Sequence, residues 1–253
     1  MYEKLKADVA FMRGEYEIAL EMFREGAREG DELASFNLAY CLWHGIGTRR
    51  DPKEAKSFFA YARNMKGGEA CYNLAMLYMN GEGVKRNYKL AFSYMRDAAE
   101  LGCIEAMLYL GMAYTTGCII QPEITGICMI PFHKTEYLDL GAPLLSGFVP
   151  DLELDEDLRY SVVSADAREA FLWFQAAARH DPTYVADLVA KGKFLYAKCY
   201  IDGLGVDFDR QKGVRLMLMA GREGSQDAVA FLGEHGISEQ MLLSAGKKNK
   251  NRQ

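Results

Sequence analysis

The residues of this chain with the most obvious potential for chemistry lie in one stretch, between positions 118 and 164. His133, Glu136 and Asp139 follow one another at intervals of three, and imidazole and carboxylate groups are ligands of Zn²⁺. The stretch has a single histidine and no regular pattern that would fix its shape, so we expect no metal site. Cys128 and His133 would be a nucleophile and a base, but no third group orients the base, and we predict no catalytic residue and no cofactor.

A second motif with known chemistry, Gly-x-Gly, occurs at Gly81–Gly83 and again at Gly203–Gly205. Glycine-rich loops cradle phosphate when they follow a strand and carry a Lys-Ser/Thr pair. No strand pattern precedes these glycines and no such pair follows them, so we interpret them as helix stops. Aspartate or asparagine follows a loop glycine by six residues, where it can cap the next helix (45 to 51, 81 to 87 and 203 to 209). The constant spacing predicts that the loop geometry repeats.

These loops belong to a longer repeat of 36 residues. Two alanine series share this period, and their members are Ala34, Ala70 and Ala106 in the first and Ala19, Ala55 and Ala91 in the second. The third repeat has its second-series alanine at Ala170 instead of position 127, so 43 residues are inserted between its two helices. A fourth copy starts at Gly192 and a truncated fifth at Ala228. Two-helix repeats of about 20–50 residues indicate a solenoid.

The fullest copy of the repeat opens with ACYNLAMLYMNGEGV, residues 70–84. Residues 70–99 resemble the SLR family, the Sel-one-like repeats, which are relatives of the tetratricopeptide repeats; Ala75 stands where that family usually has glycine. The resemblance covers roughly residues 14–117 and 165–236. It implies an all-α fold, a right-handed α-α superhelix of about five helix pairs. Residues 1–246 would form one solenoid domain with an insertion at about 118–164, and residues 247–253 a flexible basic tail.

Local signals predict where the helices begin and end. We expect the early helices near residues 2–13, 15–29, 32–44 and 52–65, with Gly14 between the first two and Gly45 ending the third. Asp51 with Glu54 and Asp166 with Glu169 have the spacing of capping boxes. Asp181 and Pro182 predict the start of a first helix with about two extra turns. The stretch SEQMLLSAG, residues 238–246, predicts a closing helix.

Composition excludes several classes of protein. The chain has 253 residues, 50% hydrophobic, and a net charge of -5, which argues against broad binding to nucleic acid. No apolar run is long enough to cross a membrane, and the charged start predicts no secretory signal. Secreted relatives in the SLR family pair two cysteines eight residues apart, whereas here Arg63 stands eight residues before Cys71. We therefore expect six reduced cysteines and a cytoplasmic protein.

The first helix of each pair lines the concave groove in tetratricopeptide-like solenoids, which the resemblance extends to this chain. Leu74, Ala75 and Tyr78 should then pack between helices. The residues between them should face the groove, and they are rich in aromatic side chains, methionine and asparagine. The predicted groove residues are Phe36, Asn37, Tyr40, Trp43, Tyr72, Asn73, Met76, Met79, Tyr109 and Met112.

The sequence thus predicts a non-catalytic scaffold that binds a protein partner, as a peptide or a helix, in this groove. Trp43, Tyr40, Tyr72 and Met76 would anchor the partner, while Asn37 and Asn73 would hold its backbone by hydrogen bonds. One alternative is a self-capped structural subunit, in which the insertion fills the groove. A weaker one is a hydrolase, because some SLR relatives act on cell-wall compounds.

Overall fold

The structure, a computed structural model, describes residues 3–64, 68–117, 164–183 and 185–237. Eleven α-helices account for most of these residues, and the described part of the chain contains no β-strand. The helices are α1 (Lys4–Met12), α2 (Tyr16–Arg28), α3 (Glu32–His44), α4 (Pro52–Tyr61), α5 (Glu69–Asn80), α6 (Tyr88–Glu100), α7 (Ile104–Thr116), α8 (Ala167–Ala178), α9 (Ala186–Asp202), α10 (Arg210–Arg222) and α11 (Gln226–Glu234).

The described helices form two compact units, one ending at Ala106 and one made of Met107–Gly117 and the residues from Ser164 onward. In the first unit, each helix from α1 to α6 packs on the next along the chain. In the second unit, α8 to α11 do the same. There α7 meets α8 at Gly111, where the ring of Phe174 leaves no room for a larger residue. The predicted all-α repeat of helix pairs is confirmed.

The core of each pair combines a small and a large residue on the second helix. Ala19, Ala55, Ala91 and Ala170 are fully buried, and so is the large side chain four residues after each. These large residues are Phe23, Phe59, Met95 and Phe174. Positions four residues apart lie on one face of a helix, so the alanine lets the helices approach closely while its neighbour fills the space between them.

The glycine stops and the caps lie where the sequence predicts them. Gly45, Gly81 and Gly203 end α3, α5 and α9 in the left-handed conformation, with φ of 72°, 74° and 70°. The next helix is capped in each case, because Asp51, Asn87 and Asp209 accept a hydrogen bond from the backbone N–H three residues on.

The two predicted capping boxes are only half formed. Asp51 and Asp166 do accept hydrogen bonds from the helix, but their own N–H groups do not bond to Glu54 and Glu169. The N–H of Asp51 donates to the carbonyl of Leu42 at 2.7 Å, and that of Asp166 to Tyr114 at 2.9 Å. A carbonyl of the preceding helix thus accepts the hydrogen bond that the glutamate side chain would accept in a complete capping box.

The hydrogen bond from the N–H of the capping residue to a carbonyl of the preceding helix also shows how the insertion joins the third pair. Asn87 and Asp209 make the same bond to Tyr78 and Tyr200, nine residues earlier in each case. Tyr114 and Asp166 are 52 residues apart, 43 more than the others, yet their bond closes the pair in the same way. The insertion therefore begins and ends inside the ordinary loop between two paired helices.

Helix α9 is longer than the other first helices but starts later than predicted. It has 17 residues against 13 in α3 and 12 in α5, and it begins at Ala186. Asp181 does not cap it, because its carboxylate accepts the N–H of Thr183 at 2.9 Å and also the Thr183 hydroxyl. Because of this local turn, α9 does not include the extra residues after Asp181 that the sequence predicts for it. The insertion, the closing helix at 238–246 and the tail at 247–253 lie outside the described residues.

Candidate functional site

The predicted groove residues lie on the first helices α3, α5 and α7, as expected, but the structure places nearly all of them in the interior. Residues 34–43 of α3 and residues 70–77 of α5 are buried on every side. The buried members of the predicted set are Phe36, Asn37, Tyr40, Trp43, Tyr72, Asn73, Met76, Met79 and Tyr109, and Met112 is half-buried. Binding of a partner at these positions stays a prediction.

The two asparagines are the exceptional members of this set. Asn37 and Asn73 occupy the same position in successive repeats and are 5% and 0% exposed. Neither amide atom of Asn73 has a hydrogen-bond partner in the described structure, and neither does Nδ2 of Asn37. A buried polar group without a partner costs about 1–3 kcal/mol. Two such groups one repeat apart therefore mark a place where the chain retains polar groups at a cost in stability.

A polar cluster lies at the carboxyl end of α3. The indole Nε1 of Trp43 donates to Oε2 of Glu82 at 2.8 Å, Nδ2 of Asn80 donates to Oε1 at 3.0 Å, and Arg50 forms an ion pair with the same carboxylate. Burial alone would raise the pKa of Glu82, but these hydrogen bonds and the charge of Arg50 lower it. Trp43, predicted as an anchor, thus has its only polar group engaged within the chain.

His44 lies beside this cluster and between two rings. Its imidazole is 4.6 Å from the ring of Tyr40 and 4.9 Å from that of Trp43, measured between centroids. Its Nε2 is buried without a hydrogen-bond partner among the described residues. Burial, with the charge of Arg50, lowers the pKa of His44, while burial raises the pKa of Tyr40 to about 12. The imidazole is therefore held in its neutral form.

Glu82 and Arg50 are the members of this cluster that sequence reasoning missed. Glu82 is the middle residue of a Gly-x-Gly loop, where the other copies have Ile46 and Leu204. The sequence did contain a signal for Glu82, because it is a carboxylate at a loop position that is apolar in the other two copies.

The described cysteines are suited to packing and not to nucleophilic or metal chemistry. Cys41, Cys71, Cys103 and Cys199 are buried. Burial raises the pKa of Cys41 and Cys199 to about 12 and that of Cys71 to about 11, so they are thiols at neutral pH. The Cys71 thiol donates to the carbonyl of Arg63 at 3.0 Å.

Metal chemistry has no support in the part of the chain that the structure describes. No group of three or more His, Cys, Asp or Glu side chains converges there in a way that would hold an ion. Cys128, His133, Glu136 and Asp139 lie outside the described residues. Among the described helices, none combines the length and the apolar character needed to cross a bilayer.

Comparison with known proteins identifies the repeat. The family model described as Sel1 repeat matches residues 33–66, 68–103, 104–120, 159–182 and 190–225. A Sel1 repeat protein from Oxalobacter formigenes is similar in structure, with a TM-score of 0.66 and 18% identity over 92% of this chain and 75% of that one. The protective antigen c5321 of uropathogenic Escherichia coli, which displays an SLR fold, aligns with a TM-score of 0.47 and 18% identity, over 91% of this chain and 48% of that one. No curated relative matches the sequence.

Proposed function

Since the chain belongs to the Sel1 repeat family, whose members are generally protein-interaction scaffolds, we propose that it is a non-catalytic scaffold that binds a partner along α3 and α5. The bound element is an extended peptide or a helix of the partner. Its apolar side chains contact the aromatic and methionine side chains of the ten predicted groove residues. Asn37 and Asn73 fix its register by hydrogen bonds to its backbone or polar groups.

The observation that supports this proposal is the unpaired amide of Asn73. Asparagine offers one carbonyl acceptor and two N–H donors, a set that matches one peptide group of a bound chain. Asn37 repeats the same side chain 36 residues earlier, so a partner that follows the repeat meets equivalent groups in turn. A purely apolar core would be more stable with leucine at both positions, so the asparagines are best explained by a bond that is made to a partner.

The burial of nine of the ten positions has a consequence for the mechanism. A partner reaches these side chains only if it replaces contacts that now enclose them. Met76 and Met79 suit this exchange, because the flexible methionine side chain repacks against a new surface at little cost. Binding is therefore coupled to a rearrangement around α3 and α5, and it is slower than the docking of two rigid surfaces.

The same burial favours the alternative of a self-capped structural subunit. In that alternative the insertion occupies the groove permanently and pairs with the asparagines. Residues 118–163 lie outside the described part of the chain, so this alternative stays a prediction. The hydrolase alternative has no supporting observation.

Replacing Asn73 by leucine separates the two proposals. If the amide is unpaired within the chain, Asn73→Leu raises the free energy of unfolding by about 1–2 kcal/mol and abolishes partner binding. Urea denaturation of the whole chain measures the first effect. Asn64→Leu, the same change at an exposed position, serves as the control and should alter stability by less than about 0.5 kcal/mol. A destabilised Asn73→Leu variant would show that the chain itself pairs the amide, as the self-capped subunit requires.

The partner is then sought by affinity capture with matched variants. Wild type, the Asn37→Ala/Asn73→Ala variant and the Asn64→Ala control are compared in the same lysate. The proposal requires a protein that is recovered by wild type and by the control and is lost with the double variant. Equal recovery by all three proteins would move the interaction surface away from α3 and α5.

A further inference from the structure

The fourth helix pair departs from the repeat at positions that meet in space. Position 196 is tyrosine, whereas the equivalent residues of the first three repeats are Leu38, Leu74 and Leu110. Lys212 occupies the position that is Glu54, Leu90 and Glu169 in the first three repeats, so the fourth repeat alone has a positive charge there. Packing of the pair needs only an apolar side chain at position 196, as Leu74 provides. The Tyr196 hydroxyl and the Lys212 ammonium are therefore polar groups that the packing of the pair does not require.

These residues form a continuous hydrogen-bonded cluster across three helices of the second unit. Nε2 of Gln175 on α8 donates to the hydroxyl of Tyr196 on α9 at 3.0 Å. The hydroxyls of Tyr196 and Tyr200 are 3.3 Å apart. Nζ of Lys212 on α10 donates to the Tyr200 hydroxyl at 2.8 Å and lies 4.1 Å from the centre of its ring. Tyr200 is buried and Lys212 is exposed, so the cluster runs from the interior to the surface.

One hydroxyl hydrogen of the two tyrosines is not used in the hydrogen bonds of this cluster. Each hydroxyl oxygen accepts a bond from a nitrogen donor, Gln175 in one case and Lys212 in the other. The two hydroxyls have two hydrogens between them, and their mutual bond uses one. The second hydroxyl hydrogen has no acceptor in the described structure. The ammonium of Lys212 has further N–H donors beside it.

The charges around the cluster favour an anion. Lys212 and Arg179 act on the Tyr200 hydroxyl, and the guanidinium of Arg168 lies over the ring of Phe171, which contacts both tyrosines. Among the described residues, Asp209 is the carboxylate that acts on Lys212, and its Oδ1 accepts the capping hydrogen bond of α10. Burial raises the pKa of Tyr200, but the bonds from Lys212 and Tyr196 lower it, which shows that the surroundings stabilise negative charge at that oxygen.

We propose that Tyr200 and Lys212, supported by Tyr196 and Gln175, form a binding site for a carboxylate group, such as that of an acidic side chain or a chain end of a partner. The spare hydroxyl hydrogen and an N–H of Lys212 donate to its two oxygens. Two adjacent donors match a carboxylate, which accepts at both oxygens, better than a phosphate with three terminal oxygens. This site lies in the second unit and does not depend on the function proposed for α3 and α5.

The test measures binding of N-acetylglutamate to the full chain labelled with ¹³C at the tyrosine Cζ, at constant ionic strength. The resonances of Tyr196 and Tyr200 are assigned with Tyr196→Phe and Tyr200→Phe variants. Saturable shifts of both resonances with a midpoint in the millimolar range are expected. N-acetylglutaminamide, which is isosteric and has both carboxylates replaced by uncharged amides, should leave them unchanged.

Matched lysine variants make the result specific. Lys212→Met should weaken binding by about tenfold or more, whereas Lys212→Arg should keep it within about threefold, because the charge and a donor remain. Lys198→Met is the control, since Lys198 lies on α9, the helix of Tyr196 and Tyr200, but pairs with Asp202 at 2.6 Å. It should bind as wild type does.

Three results would overturn the site. These are the absence of saturable shifts, equal shifts with N-acetylglutaminamide, and wild-type affinity in Lys212→Met. A parallel titration with inorganic phosphate tests whether the ligand is a carboxylate. Tighter binding of phosphate than of N-acetylglutamate would refute the assignment to a carboxylate.

Discussion

At the scale of single residues, Glu82 links the first two repeats of the chain. Its carboxylate accepts the indole N–H of Trp43 and the amide of Asn80, and it pairs with Arg50. These bonds hold the end of α3 against the loop that follows α5. Burial and the charge of Arg50 lower the pKa of the neighbouring His44, so this part of the fold is sensitive to acid.

The pKa of His44 is lowered by burial from its ordinary value of 6.5, so the unfolded chain takes up the proton first as the pH falls. Stability should therefore decrease as the pH drops below 6.5 and should stop decreasing, for this group, below the folded pKa. Glu82 acts in a separate window, because its pKa lies below its ordinary 4.5 and its contribution is lost only as the pH falls below that value.

The measurement is urea denaturation at several pH values between about 8 and 5. His44→Gln should flatten the decrease in stability in that range, and His235→Gln, a change at the exposed histidine that follows α11, should not. A decrease that is equally steep in His44→Gln would mean that another group takes up the proton.

At the scale of elements, the two glycines of each loop have different roles. The first ends the helix in the left-handed conformation and has room for a Cβ, since one added at Gly81 would be in van der Waals contact with Arg86, 3.4 Å away. The second packs on the start of the previous repeat's second helix. A Cβ at Gly83 would lie 2.6 Å from the backbone N of Lys53, and one at Gly47 would be 2.7 Å from the backbone of Tyr16. The Gly-x-Gly motif is therefore a contact between repeats.

This difference predicts unequal costs for the same substitution. Gly81→Ala introduces only the strain of a left-handed residue with a side chain, about 1–2 kcal/mol. Gly83→Ala adds a backbone clash and should cost about 2–4 kcal/mol in total. Thermal or urea unfolding of both variants measures the costs side by side. Equal destabilisation would show that the close contact at Gly83 relaxes freely.

At the scale of the whole molecule, the insertion is an addition to a repeat that is already complete. The bond between Asp166 and Tyr114 is the one that closes the other pairs, and Gly117 ends α7 with φ of 69°, as Gly81 ends α5 with φ of 74°. Long insertions in surface loops carry a small entropic cost, because the closure cost grows only with the logarithm of loop length. The repeat array thus accepts 43 extra residues without a change in the pairing of α7 and α8.

Replacing residues 118–165 by the loop at 82–86 should therefore leave the third pair intact. The amide of Asp166, bonded to Tyr114, should keep its protection from hydrogen exchange. The amide of Asn87, bonded to Tyr78, is the control in the same sample. Loss of protection at Asp166 alone would mean that the insertion holds α7 and α8 together.

The sequence by itself determined the elements and their order. The glycine stops and the Asp and Asn caps follow from residues within a few positions of one another, and the 36-residue period and the size of the insertion follow from the recurrence of these local patterns along the chain. A cap or a left-handed glycine depends on local geometry, so a local pattern predicts it. The late start of α9 was missed because Thr183 competes for the carboxylate of Asp181, and the pattern does not rank two local partners.

Only the tertiary structure decided which side chains are enclosed and which distant residues meet. Period and phase place Asn37, Asn73 and Trp43 on first helices, but burial depends on what packs over them. Trp43 and Glu82 are 39 residues apart, and Gln175 and Tyr196 are 21 apart, so their bonds depend on how whole helices pack. Packing between repeats depends on many weak contacts between residues far apart in the sequence, so a local sequence pattern does not predict it.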